Sequence, residues 1–138
     1  MKRIFFLVLL FISVICAYAS ADMTIRKNGS IWAEVDSGGN IRINGSIVGS
    51  VENDGTVRKS GSIAGQVESG GTIRANGSIV GEIESDGTIR KNGSIWGQVD
   101  SGGTIRKNGS IWGEATNCNS EGARRMVTAV LVFFSGDF

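Results

Sequence analysis

The chain repeats itself. A unit of 16 residues recurs six times without insertion or deletion, starting at Thr24, Asn40, Thr56, Thr72, Thr88 and Thr104. The first copy reads TIRKNGSIWAEVDSGG, and the last decays into EATNCN, as a terminal repeat should. A fixed period means that each unit makes one structure and buries its apolar face against its neighbours. Sixteen residues are too few for a helix pair, which takes more than about 30. The unit carries β-branched residues at alternating positions between two glycine-bearing turns, the pattern of a β-hairpin. Gly is 21 of 138 residues and Pro is absent. That balance points to many tight turns and away from a disordered linker.

The turns set the expected register. A two-residue Asn28-Gly29 loop would pair Arg26 with Ile31 and mix polar with apolar on one face. A three-residue loop, Lys27-Asn28-Gly29, pairs Ile25 with Ile31 and Arg26 with Ser30, and is the expectation here. The second loop, Ser37-Gly38-Gly39, pairs Val35 with Ile41 and sets Glu34 opposite Arg42. On this register the inward ladder is Ile25, Ile31, Val35, Ile41, Ile47, Val51 and their equivalents. The ninth repeat position then points outward.

Twelve strands in a meander leave two exposed edges unless the sheet closes. About eight strands already enclose a space that side chains can fill, so twelve leave a hole. The tail supplies a plug. Glu121 to Phe134, EGARRMVTAVLVFF, follows Asn119 and Ser120 as candidate N-caps and precedes Ser135-Gly136 as a C-cap. From Met126 it is apolar nearly all round, as a core helix is. The expected fold is all-β: six two-stranded hairpins in a closed, shallow ring or barrel of twelve strands around a C-terminal apolar helix. A closing strand over Val127 to Phe134 is the alternative for the tail. A β-solenoid with one copy per rung is the alternative for the repeats.

The first 21 residues read as a secretory signal. Lys2 and Arg3 precede the apolar run Ile4 to Ile15, and small-x-small cleavage sites end at Ala19 and Ala21. Export to the periplasm or the outside follows, with residues 22–138 as one domain. Loss of Lys2 and Arg3 leaves 12 basic against 13 acidic residues, a net charge of −1. Bulk charge therefore gives no reason to expect nucleic acid as a partner. Cys118 is the one cysteine in 22–138 and cannot make an internal disulfide.

The units GGTIRANGSIVGEI (residues 70–83) and DGTIRKNGSIWGQV (residues 86–99) resemble those of the β-flower proteins, small bacterial proteins of repeated Gly-x-Ile hairpins. The resemblance covers residues 24–119, and the apolar tail is similar too. It implies a shallow symmetric array of hairpins around an axis with a central helix. That layout is similar to the Tubby C-terminal domain, a twelve-stranded barrel around a helix that binds membrane phosphoinositides. No lipid-binding motif carries over, and six copies depart from the four or five petals of the better-known forms.

The candidate binding residues are Trp32, Trp96 and Trp112 at the ninth repeat position. In a closed ring, copies five, six and one are neighbours, so the three form one arc. Outward Trp often marks a contact surface. The third position is Arg in every copy, but acids at positions eleven and thirteen lie close to it. A solvated salt-bridge belt is the expectation for all six. The acidic turns offer too few convergent oxygens for calcium, so no metal is expected. With no His and no clustered catalytic set, neither catalysis nor a cofactor is expected. Asn-Gly-Ser triplets match a glycosylation sequon, but the turns demand Asn-Gly in any case. The expected function is a secreted, non-catalytic binding or scaffold module. Its expected partner is a glycan, an envelope protein or a lipid surface. The alternative is a structural or self-assembling envelope protein.

Overall fold

A computed structural model describes residues 22–138. The expected signal segment, residues 1–21, lies outside the described residues. Each repeat contributes a short strand and a longer one. The strands are β1 (Met23–Lys27), β2 (Ser30–Val35), β3 (Asn40–Ile43), β4 (Ser46–Val51), β5 (Thr56–Lys59) and β6 (Ser62–Val67). They continue as β7 (Thr72–Ala75), β8 (Ser78–Ile83), β9 (Thr88–Lys91), β10 (Ser94–Val99), β11 (Thr104–Lys107) and β12 (Ser110–Ala115). A helix, α1, spans Glu121–Phe134.

Every strand pairs antiparallel with its chain neighbours, and β12 pairs with β1 to close the barrel. Ile25 meets Ala115 and Arg26 meets Glu114 across that seam. Thr116 finishes it twice: its N–H donates to the Thr24 carbonyl at 3.0 Å, and its hydroxyl accepts from the Thr24 N–H at 2.9 Å. The repeats therefore form a ring of antiparallel hairpins, which excludes the solenoid. Closure removes every free strand edge of the sheet.

The second turn follows the expected register. Val35 faces Ile41 and Glu34 faces Arg42, with Gly39 at φ 85° as the third loop residue. The first turn does not. Its loop is two residues, Asn28 at φ 53° and Gly29 at φ 84°, so Lys27 faces Ser30 and Arg26 faces Ile31. That is the mixed pairing expected to be avoided. A bulge resolves it, because the ladder slips after Arg26 and Ile25 then faces Ala33. The bulged residue, Trp32, is left without a cross-strand partner. The physical reason is twist. A two-residue turn with both residues left-handed matches the strands' own twist. One extra residue then returns the inner half of the hairpin to the apolar face.

This slip changes which residues face inward. Positions two and twelve form the inner wall: Ile25, Ile41, Ile73, Ile89 and Ile105 are almost fully buried, as are Val35, Val57 and Val99. Position eight, expected to be inward, is the most exposed apolar position of the repeat. Ile31 is 52% exposed, Ile47 55% and Ile111 64%. Position nine, expected to be outward, turns half-buried toward the core: Trp32, Trp96 and Trp112 pack against it. The outward orientation of the Trp arc is thus corrected.

The tail is a helix, not a closing strand. Ser120 caps it, its hydroxyl accepting from the Ala123 N–H at 3.1 Å. Val127, Thr128, Ala129, Val130 and Leu131 are buried in the barrel. The one polar side chain among them, Thr128, donates its hydroxyl to the Arg124 carbonyl at 2.7 Å. Among the described residues, no helix is long and apolar enough to cross a membrane.

Candidate functional site

Both faces of the hairpins near the Asn-Gly turns are chemically distinctive. On the inner face, the tail and the ninth position complete one another. Phe134, Phe133 and Phe138 lie over Gly49, Gly65 and Gly81, the tenth positions of repeats two, three and four. In those repeats the ninth residue is small: Val48, Ala64 and Val80. In repeats five, six and one the ninth residue is Trp: Trp96, Trp112 and Trp32. Six aromatic rings, one per repeat, therefore line this end of the barrel. Trp32 and Trp112 meet edge-to-face at 5.5 Å between centroids, and Trp96 meets Phe138 at 5.2 Å. The Trp96 indole N–H also donates to the Asp137 carbonyl at 3.2 Å.

Lysines at the fourth position cover these rings. Lys27 lies 5.1 Å from the Trp112 centroid, Lys107 5.6 Å from Trp96, Lys59 5.6 Å from Phe134 and Lys91 5.1 Å from Phe138. Each pairing is a cation–π contact, which keeps the ammonium wet while covering the ring.

On the outer face, a shallow groove runs between adjacent hairpins. The one between repeats six and one has a volume of about 300 Å³. Its walls include Arg26, Asn28, Thr104, Ile111, Trp112 and Glu114. Equivalent grooves between repeats four and five and between repeats three and four measure about 240 Å³ and 270 Å³. In each, the Arg of one hairpin and the exposed Ile of the preceding hairpin share a common outer wall. Trp112 lines the groove between repeats six and one and also meets Trp32 edge-to-face.

The arginine belt is not uniform. Arg58, Arg74 and Arg90 make ion pairs with Glu52, Glu68 and Glu84 at the thirteenth position. The hydrogen bond and charge of Glu84 hold Arg90 above its ordinary value. In repeats one and five the thirteenth residue is Asp, one methylene shorter. Asp36 accepts from the Gly38 and Asn40 N–H groups at 2.9 Å and 3.0 Å, and Asp100 accepts from Gly102 and Thr104 at 3.0 Å each. Burial pushes Asp36 up, but the hydrogen bonds from Asn40 and Gly38 outweigh it and hold its carboxyl below the usual range. At the seam the thirteenth residue is Thr116. Arg26, Arg42 and Arg106 consequently have no ion pair within 4.0 Å among the described residues. The belt expected to neutralise all six arginines neutralises three. The expected cross-strand facing of Glu82 and Arg90 is present, but Arg90 bonds to Glu84 instead.

Cys118 is buried beside the helix entrance, and burial pushes its thiol up to about 11. It should stay protonated and inert at pH 8. Ellman's reagent is expected to react with it at least about tenfold more slowly in the native protein than in guanidinium. Equal rates would show that the thiol is open to solvent. Among the described residues, no group of three or more His, Cys, Asp or Glu could hold a metal ion.

Comparison with known proteins adds no relative: no family model, no curated protein and no solved structure matches the chain.

The Trp positions were legible in the sequence, and ring closure does place their repeats side by side. The exposed isoleucines and the division of the arginines were missed. The available signal was Asn-Gly itself, whose preferred two-residue loop implies the slip. The Glu/Asp alternation at position thirteen was the second.

Proposed function

We propose that the chain is an exported, non-catalytic binding module of β-flower type. Its contact surface is the arc formed by repeats five, six and one. Trp32, Trp96 and Trp112 form the half-buried floor of that surface. The exposed Ile31, Ile95 and Ile111 form its raised contacts. The observation that carries this reading is an apolar residue held in the open six times over: Ile95 is 63% exposed and Ile111 64%, at equivalent places on adjoining hairpins. Recurrent exposed aliphatics cost solubility, and a surface that maintains them is suited to a partner. The arc is favoured over the rest of the belt because only there does Trp add a wide, rigid contact area. Self-assembly through strand edges is disfavoured, because the ring has no free edge to offer.

The test compares two triple variants. Ile31→Ser, Ile95→Ser and Ile111→Ser together are expected to abolish binding to purified envelope polysaccharide. Ile47→Ser, Ile63→Ser and Ile79→Ser are expected to leave it intact. These side chains lie off the core, so both variants should melt like the parent. Equal loss in the two, or no binding by the parent, overturns the reading.

A further inference from the structure

The two departures from six-fold symmetry coincide. The three arginines held by Glu each follow Val or Ala at position nine of the preceding repeat: Arg58 follows Val48, Arg74 follows Ala64 and Arg90 follows Val80. The three arginines with no ion pair within 4.0 Å among the described residues each follow a Trp at position nine of the preceding repeat around the ring: Arg106 follows Trp96, Arg26 follows Trp112 and Arg42 follows Trp32, with Glu114 opposite Arg26 and Glu34 opposite Arg42 in the ladder. Closure makes the second set contiguous. In one half of the barrel every third-position Arg is ion-paired and the tail phenylalanines cover the tenth-position glycines. The other half carries three guanidinium groups with no ion pair within 4.0 Å among the described residues, and Arg26 shares its groove with the exposed Ile111, with Trp112 and with Glu114.

We infer that this half binds an acidic polysaccharide, with Arg26, Arg42 and Arg106 each receiving one carboxylate. The inference rests on the binding-module reading above and names its ligand. Three features choose the ligand. First, an Arg that makes no ion pair within 4.0 Å keeps its planar fork available to a carboxylate from outside the molecule, in competition with the facing Glu114 and Glu34. Second, equivalent arginines are two strands apart, about 10 Å along the wall. That is comparable to the length of a disaccharide, so a glycan with one acid per two sugars meets each groove in register. Third, the grooves are small and shallow and repeat around a convex wall. A flexible chain can follow such a wall through all three, whereas a flat membrane touches it at one hairpin. A peptide has no sheet edge to extend. The exposed Ile and the Trp edge supply the apolar surface against which a sugar's C–H face rests.

The experiment measures binding of the purified protein to hyaluronate and polygalacturonate, with dextran and poly-glutamate as comparison polymers. An acidic polysaccharide is expected to bind, more weakly as salt rises, and dextran and poly-glutamate are expected to bind at least tenfold more weakly. Arg26→Gln, Arg42→Gln and Arg106→Gln together should weaken binding at least about tenfold, because each removes a charge-assisted hydrogen bond. Their melting temperature should change little, since none of the three makes an ion pair within 4.0 Å among the described residues. Arg58→Gln, Arg74→Gln and Arg90→Gln together should leave binding within about twofold, since removing an exposed pair carries a small structural cost. Binding to dextran that depends on Ile95 and Ile111 but not on the arginines would overturn this inference while sparing the binding-module reading. Binding of neither acidic polysaccharide, tighter binding of poly-glutamate, or equal loss from both arginine sets would also overturn it.

Discussion

A chain ending at Asn119 is expected to lose the barrel altogether. Deletion of residues 120–138 removes Val127, Val130 and Leu131, each at most 1% exposed, with Ala129 and Thr128 fully buried among them. It also removes the three phenylalanines that cover Gly49, Gly65 and Gly81. A buried aliphatic or aromatic side chain of this size contributes about 2 kcal/mol. The three buried aliphatics amount to about 6 kcal/mol and the three half-buried phenylalanines add about half as much again, comparable to the entire stability of an ordinary domain. The sheet cannot compensate, since twelve strands enclose more space than their own side chains fill. Urea unfolding followed by circular dichroism should show a cooperative transition for the full protein and none for the truncated one. Leu131→Asp gives the same test without a deletion, because it sets an unpaired carboxylate among Ile and Val side chains. A truncated chain that still unfolds cooperatively, within about 2 kcal/mol of the parent, would mean that the hairpins pack without their plug.

Gly87→Ala is the second large effect. Gly87 ends the second turn of repeat four at φ 93°, and a Cβ there would overlap the carbonyl of Val99 in the next repeat. The Gly87 carbonyl meanwhile accepts from the Val99 N–H at 2.9 Å, so the two backbones cannot separate without losing that bond. Left-handed strain of about 1–2 kcal/mol adds to the steric overlap. The expected loss is at least about 3 kcal/mol. Gly77→Ala is the matched control. Its φ is 83°, yet a Cβ there would meet nothing within 4 Å. Only the strain of about 1–2 kcal/mol remains. Chemical denaturation of the two variants separates the terms. If they lose the same amount, close inter-repeat approach is not what holds neighbouring hairpins together.

These effects follow from features that were readable in part. The Gly-ended second turn was read with its register, and so was the facing of Glu34 and Arg42. The helix, its Ser120 cap and its place within a closed ring followed from apolar patterning and the geometry of twelve strands. What escaped was the outer half of each hairpin. Counting alternation assumes that every residue advances the pleat by one step, and a bulge breaks that assumption without a mark in composition. Ile31 and Trp32 therefore exchanged roles, and the same error repeated six times.

By itself, the order of residues determined the repeat and favoured the hairpin over the solenoid and the helix over a closing strand, and of its inner ladder positions two and twelve hold while position eight does not. Each of these rests on contacts between residues close in the chain or on one period applied throughout. Only the tertiary structure decided that Trp and tail Phe share one ring, and that Asp36, Asp100 and Thr116 leave Arg42, Arg106 and Arg26 without an ion pair among the described residues. The reason is that both depend on distances between segments far apart in sequence: a helix end against a glycine, or a carboxylate one methylene short of a guanidinium. Such distances exist only once the barrel has closed.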